Sequence, residues 1–268
     1  MSTREGLFSR NWAFLSAPLQ ERLARTKLFV AGTGLGGVAA VQAARTGFGR
    51  FILADGDRVE VSNMNRQPFL REHTGRNKAE VIGEIIRDIN PDAEIELIPN
   101  FLGEGDFEDP IQRCDLIINT IDFEGHALTR CNQVARELGK TILFPLNIGW
   151  GGALYVLPPD VPLDSEPARL LLDTEVDPVT LKRKFIQHAV GEKVPDYLQP
   201  LAGSFLNDDS EKGWPYDPQM AAGAALTSAL IVRCAVAIVA GEKVRHVPDV
   251  IHVDFAEISR FGSDRPDL

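Results

Sequence analysis

Short apolar runs alternate with segments of helical period along the first 157 residues. "KLFVAG" from Lys27 and "RFILADGD" from Arg50 are apolar runs of strand length, each ending in turn-forming residues. Between them, "GVAAVQAARTG" reads as a helix closed by Gly47. "RNKAEVIGEIIRDIN" places apolar side chains at 81, 82, 85, 86 and 89, one helical face, and stops before Pro91. "EIELIPN" and "DLIINTID" read as further strands, "LTRCNQVARELG" as a helix ending at Gly139, and "TILFPLNIG" as another strand. Ahead of them, residues 9–25 read as a helical arm, with Ser16 at an N-cap position and Pro18 in the first turn.

Strands alternating with helices predict an α/β fold: a Rossmann-like, doubly wound, mostly parallel sheet with helices on both faces. From Pro158 to Pro218 the regularity breaks into a proline- and acid-rich stretch with one helix expected around "VDPVTLKRKFIQHAV". An excursion of that length reads as a crossover, lid or partner-binding segment. The long apolar helix Met220 to Ala240 and a strand in "DVIHVDFAEI" then close the fold.

The apolar helix changes the picture only briefly. It is long enough to cross a bilayer, which takes about 20 residues. Arg233 lies past its middle, where an arginine costs about 2.5–3.5 kcal/mol on insertion scales. Its many small residues suit close packing, so a core or subunit-interface helix is expected rather than a membrane span. Composition is ordinary for a soluble globular chain of 268 residues, with 44% hydrophobic and 25% charged positions. The net charge of −10 leaves no footprint for non-specific nucleic-acid binding. Three cysteines without a CxxC pair supply neither a disulfide framework nor a four-cysteine zinc site. The N-terminus lacks the apolar core of a signal peptide, and a cytoplasmic home is expected. The five histidines are scattered without metal-ligand spacing; His126 is the one close to an acidic candidate.

Chemistry concentrates after the first strand. Gly32, Gly34 and Gly37 satisfy G-x-G-x-x-G between a strand and a helix, and Asp55 ends the second strand where a carboxylate can accept from a ribose. That motif does not distinguish NAD from ATP. The residues beyond Asp55 do: Arg66, Arg71, Arg76 and Lys78 come within 23 residues of it. Arg76 and Lys78 fall at the start of a predicted helix, where the macrodipole disfavours cations and favours anions. A bound triphosphate would reverse that penalty.

"GTGLGG", "LADGDRVEVSNMNRQ", "GRNKAEV", "INP" and "CDLIINTID" resemble the successive motifs of the ThiF/MoeB superfamily, bacterial relatives of ubiquitin-activating enzymes. "SRNWAFLS" resembles the family's N-terminal arginine segment, and "PQMAAGAALTSALIVRCAVAIVAGE" its long C-terminal helix. The resemblance covers nearly all of the chain except 158–217. It implies one adenylation domain with a helical arm at 1–26, a nucleotide-binding core at 27–157, a crossover or substrate segment at 158–218, and a closing helix and strand at 219–268. It also implies MgATP-dependent adenylation of a carboxylate on a small ubiquitin-like or sulfur-carrier protein or a peptide. Gly32, Gly34, Gly36 and Gly37 would then form the nucleotide loop, with Asp55 on the ribose and Asp57 beside it. Arg66 and Lys78 would hold the phosphates, flanked by Asn63 and Gln67, and Asp122 would sit at the magnesium. Arg10 would complete the site of a partner subunit in a symmetric homodimer.

A carboxylate attacking an α-phosphorus brings anion to anion, so cations and Mg²⁺ are what the reaction requires. Asp122 offers the hard oxygen that Mg²⁺ takes. The chain also departs from its relatives. No cysteine lies between Asn132 and Arg233, where many of them carry an acyl-accepting thiol, and the zinc-binding CxxC pairs are missing. Adenylation without a covalent thioester, and without zinc, is therefore expected. Phe123 replaces the usual Asn or Ser after the acidic residue. Alternative readings are a tRNA threonylcarbamoyladenosine dehydratase, the one reading that brings in nucleic acid, and a catalytically inactive nucleotide-binding scaffold of an activating complex.

Overall fold

The computed structural model describes residues 6–103, 105–191, 194–199 and 218–258. Residues 200–217 of the expected crossover and 259–268 of the closing segment lie outside this range. Seven strands form one sheet in the order β3-β2-β1-β4-β5-β6-β7. They are β1 (Lys27–Ala31), β2 (Arg50–Ala54), β3 (Glu94–Ile98), β4 (Leu116–Asn119), β5 (Thr141–Ile148), β6 (Gly151–Leu157) and β7 (Ile251–Asp254). The first five pair in parallel, and β6 and β7 pair antiparallel. The alternating strand–helix pattern thus gives the expected mixed but mostly parallel sheet.

Because side chains alternate across a strand, β1 feeds two cores. Leu28 and Val30 join Ala39, Ile82, Ile86, Val156 and Ile231 on one face. Phe29 and Ala31 join Ile117, Leu128, Phe144, Tyr155 and Phe185 on the other. The first face is covered by α2 (Leu35–Thr46), α3 (Lys78–Ile89) and α8 (Ala221–Ala240), with α1 (Ala17–Arg25) packed against α8. The second carries α4 (Glu108–Gln112), α5 (Ala127–Glu137), α6 (Glu166–Leu170) and α7 (Pro178–Val190). The helix expected in the irregular stretch is α7, capped by Asp177, whose side chain accepts from Thr180 N.

The apolar helix α8 is long and apolar enough to cross a membrane by composition. Here it is a core helix: ten of its residues are buried. Gly152 on β6 has no side chain where Thr227 of α8 comes in, which lets helix and sheet approach closely.

Three elements depart from the sequence expectation. The N-terminal arm is not one helix: residues 9–11 form a 3-10 turn, Ala13 takes φ +70°, and α1 begins only after Ser16. Gly151–Leu157 forms a buried strand, reached from β5 through a two-residue reversal at Gly149 and Trp150. The closing strand ends at Asp254, where a short helix, α9 (Phe255–Ile258), begins.

Candidate nucleotide site

Ala31 of β1 lies opposite Ala54 of β2 on one side and Asn119 of β4 on the other. The order β3-β2-β1-β4-β5 reverses direction between β1 and β4, and ligands of such sheets bind beyond the strand C-termini at that switch. Every predicted site residue except Arg10 lies in or beside the segments that leave these C-termini.

Gly32 leaves β1 with φ +85°, its N–H donating to Ala54 O at 2.9 Å. A Cβ there would stand 2.7 Å from Thr120 O, so glycine is required both by conformation and by space. Gly34 precedes α2 without a side-chain cap, which leaves the first-turn N–H groups of a 12-residue helix facing the switch point. Gly36 and Gly37 serve packing. A Cβ on Gly36 would lie 2.6 Å from Thr120 Oγ1, and one on Gly37 would lie 2.8 Å from Ile82 Cδ1 of α3. Thr120 Oγ1 in turn donates to Gly32 O at 2.7 Å, tying the β4 exit to the glycine loop.

Asp55 does more than wait for a ribose. Its Oδ2 accepts from Thr33 N at 2.6 Å and Thr33 Oγ1 at 2.9 Å, and its Oδ1 accepts from Asp57 N at 2.8 Å. A carboxylate has roughly four acceptor positions, so these three bonds leave limited capacity for a ligand.

Lys78 is the first residue of α3 and is buried, yet its ammonium has a partner: Nζ lies 2.8 Å from Asp57 Oδ2. The cost of a cation at this helix N-terminus is therefore met inside the chain, and Asp57 is Lys78's counter-ion. Asn77 caps the same helix by accepting from Glu80 N, and its Nδ2 donates to Asp55 O at 2.8 Å. One residue thus fixes both the helix start and the Asp-Gly-Asp turn. Arg76, by contrast, pairs with Glu84 on the exposed side of α3.

The stretch after Glu60 forms a 3-10 turn, Val61–Asn63. Buried Asn63 shapes it, with Oδ1 accepting from Glu60 N at 3.0 Å. Gln67 reaches the glycine loop: its Nε2 would be 3.0 Å from a Cβ on Gly34, and its buried Oε1 has no hydrogen-bond partner among the described residues. Arg66 Nη1 donates to Ser62 O and Asn65 Oδ1, and its Nε donates to Gln219 Oε1 at 2.6 Å. Asp122 is exposed in the loop after β4, two residues past Thr120. Phe123 turns inward and packs edge-on against Phe144, ring centroids 6.0 Å apart, which anchors that loop in the core.

Arg10 is not part of its own chain's cluster. It is exposed in the N-terminal 3-10 turn, where Asn11 Nδ2 donates to Thr46 O at the far end of α2. A helix of 12 residues spans about 18 Å. All three cysteines are buried. Burial pushes the Cys114 thiol up to about 12 and raises Cys131 and Cys234 as well.

Sequence reasoning missed Thr33, Asn77, Thr120 and Gln219. Asn77 carried a readable signal: Asn-x-x-Glu ahead of an amphipathic run is a capping pattern. Gln219 carried none.

The family described as "ThiF family" matches residues 8–261. The chain belongs to that family. It is 31% identical over 144 residues to the Escherichia coli K12 sulfur carrier protein ThiS adenylyltransferase, covering 52% of this chain and 56% of that protein. It is 30% identical over 197 residues to ubiquitin-like modifier-activating enzyme 5 of Dictyostelium discoideum, covering 65% and 49%. The chain thus spans about half the length of the curated relatives it matches. Among solved structures, PaaA superposes with a TM-score of 0.69 at 19% identity, covering 95% of this chain and 80% of that one. E. coli MccB with ATP superposes with a TM-score of 0.62 at 18% identity, covering 90% and 64%. These two likenesses establish the shared fold.

Proposed function

We propose that this ThiF-family chain is an ATP-dependent adenylyltransferase. It would activate the C-terminal carboxylate of a small ubiquitin-like or sulfur-carrier protein, or of a peptide, as an acyl-adenylate. The observation that carries the reading is the pairing of buried Lys78 with Asp57 beside an uncapped helix at Gly34, with Gln67 joining that loop to the Arg66 turn. Cations held next to exposed backbone N–H groups fit a triphosphate better than the single pyrophosphate of NAD. Support also comes from relatives named for adenylating ThiS and for activating ubiquitin-like modifiers, and from the likeness to MccB, solved with ATP.

In the reaction the carboxylate oxygen bonds to the α-phosphorus as the bond to the β-phosphate oxygen breaks, and pyrophosphate leaves. The substrate carboxylate is already ionised at neutral pH, so the chain need not provide a strong base. Its contribution would be positional and electrostatic: Arg66 and Lys78 would hold the phosphates, and the α2 N-terminus would receive the anion. Asp122, an exposed carboxylate on the switch-point loop, would offer a hard-oxygen ligand to Mg²⁺, which would neutralise phosphate charge. The buried cysteines, disfavoured as thiolates, fit a reaction that stops at the acyl-adenylate.

A homodimer and a cytoplasmic setting belong to the same proposal. Phe14 is 87% and Trp12 51% exposed next to Arg10. Ala221, Ala225 and Ala229 line the exposed side of α8. A second copy would cover this apolar surface and receive Arg10 at its own site. Titration calorimetry with MgATP and with NAD tests the nucleotide assignment, and pyrophosphate release over a panel of carboxyl-terminal peptides and carrier proteins tests the reaction. NAD bound more tightly than MgATP would overturn it.

A further inference from the structure

Phe101 is 74% exposed, yet its ring is seated against the backbone of a neighbouring turn. A Cβ on Gly56 would stand 2.5 Å from both Cδ2 and the backbone nitrogen of Phe101. Gly56 lies outside the left-handed region, so this contact, and not backbone conformation, is what calls for glycine there. The two segments are also fastened together. Asp55 N donates to Ile98 O at 3.1 Å, and Asn77 Nδ2 donates to Asp55 O at 2.8 Å and to Pro99 O at 3.4 Å. The exit of β3 is thereby held on the turn that carries Asp55.

Placement gives the ring its meaning. β1, β2 and β3 are parallel neighbours, spaced about 4.8 Å apart. The glycine loop leaves the first, Asp55 follows the second, and Phe101 stands three residues beyond the third. Anion-receiving loop, carboxylate and aromatic ring therefore succeed one another along one edge of the sheet. That is the order of phosphates, sugar and base along a nucleotide. A single exposed apolar side chain is ordinary on a protein surface. A ring for which the adjoining turn gives up its own side chain, and which stays open to solvent beside Asp55, is not. Phenylalanine has no hydrogen-bonding group, so its partner is selected by a flat, apolar face.

We infer that Phe101 is the platform on which the nucleobase of the bound nucleotide stacks; the inference rests on the adenylation reading above. Its test is calorimetry with MgATP and with magnesium tripolyphosphate, which lacks sugar and base, on wild type, Phe101→Ala, Phe101→Leu and Phe101→Tyr. Stacking of one base on an aromatic side chain corresponds to roughly a tenfold change in affinity. Phe101→Ala and Phe101→Leu should therefore bind MgATP about tenfold more weakly, while their affinity for tripolyphosphate stays at the wild-type value. Phe101→Tyr should restore MgATP binding. Should Phe101→Ala fail to fold, Phe101→Leu carries the comparison, because it keeps an apolar side chain against Gly56 without a ring. Wild-type affinity for MgATP in Phe101→Leu, or an equal loss for tripolyphosphate and MgATP, would overturn the inference. Wild-type protein that binds no MgATP would instead overturn the adenylation reading itself, and the inference with it.

Discussion

The Lys78 ammonium lies 2.8 Å from the Asp57 carboxylate, and 11% of the lysine side chain is exposed against 44% of the aspartate. One partner is sequestered at a helix N-terminus while the other faces solvent, so removing the aspartate strands a cation where the helix field opposes it. Breaking a fully buried pair costs about 3–5 kcal/mol; solvent screening of the exposed partner reduces the expected loss for Asp57→Asn to about 1–2 kcal/mol. Chemical denaturation should register that loss, and adding Lys78→Met should recover most of it. Equal stability of Asp57→Asn and wild type would show that the pair does not hold the helix start.

Arg66→Ala and Lys78→Ala should each lower ATP–pyrophosphate exchange by about 10²–10³-fold, the range for removing one preorganised donor to a developing charge. Asp122→Ala should fall comparably, and a higher Mg²⁺ concentration should partly restore it. Exchange at wild-type rates in any of the three would remove that residue from the site.

The proposed homodimer, in which Arg10 would complete the partner subunit's site, makes a distinctive prediction for mixtures. Arg10→Ala and Arg66→Ala should each be strongly impaired alone, and co-refolded mixtures should recover part of the activity, because one site in each mixed dimer would be intact. Sedimentation as a monomer at micromolar concentration with full activity would contradict this arrangement.

The cysteines should be dispensable. Replacing Cys114, Cys131 and Cys234 by alanine should leave exchange unchanged, and all three thiols should react slowly with aromatic disulfides until the protein is unfolded. A substrate adduct released by reducing agents and lost with a single cysteine replacement would instead require a covalent relay.

Gly32→Ala places an L side chain at φ +85° and 2.7 Å from Thr120 O. Backbone strain alone costs about 1–3 kcal/mol. Denaturant unfolding should show at least that loss, together with weakened MgATP binding, since the same residue shapes the loop.

The sheet was legible from sequence because β1, β2 and β4 are apolar runs separated by helices with clear periodicity and caps. The β6 strand was not, because Gly151–Leu157 is buried along its whole length and shows no alternation, and it follows β5 after only Gly149 and Trp150. Propensity also gives no hint that Ala13 adopts a left-handed conformation and splits the N-terminal arm. Residue types and spacing singled out Gly32, Asp55, Arg66 and Lys78, and the fold brings all four to segments that leave the C-terminal ends of β1 and β2. Their partners were hidden for physical reasons: Asp57 pairs with Lys78 only after a turn brings them together, and Gln219 reaches Arg66 only through tertiary return of the chain.

The Asp55 carboxylate joins two loops, receiving Thr33 from one and Asp57 from the other. A mutation there is therefore ambiguous in a way that one at Arg66 is not. Asp55→Ala would release the Thr33 and Asp57 amides together, letting the glycine turn and the Lys78 counter-ion drift apart, so a lost affinity for nucleotide would report collapse of the cradle as readily as a missing sugar contact. Ribose recognition is better interrogated from the ligand side, by comparing ATP with its 2′- and 3′-deoxy analogues on the unaltered protein. Amide hydrogen exchange at positions 33 and 57 would complement this, since amides sharing one acceptor group should open as a correlated pair.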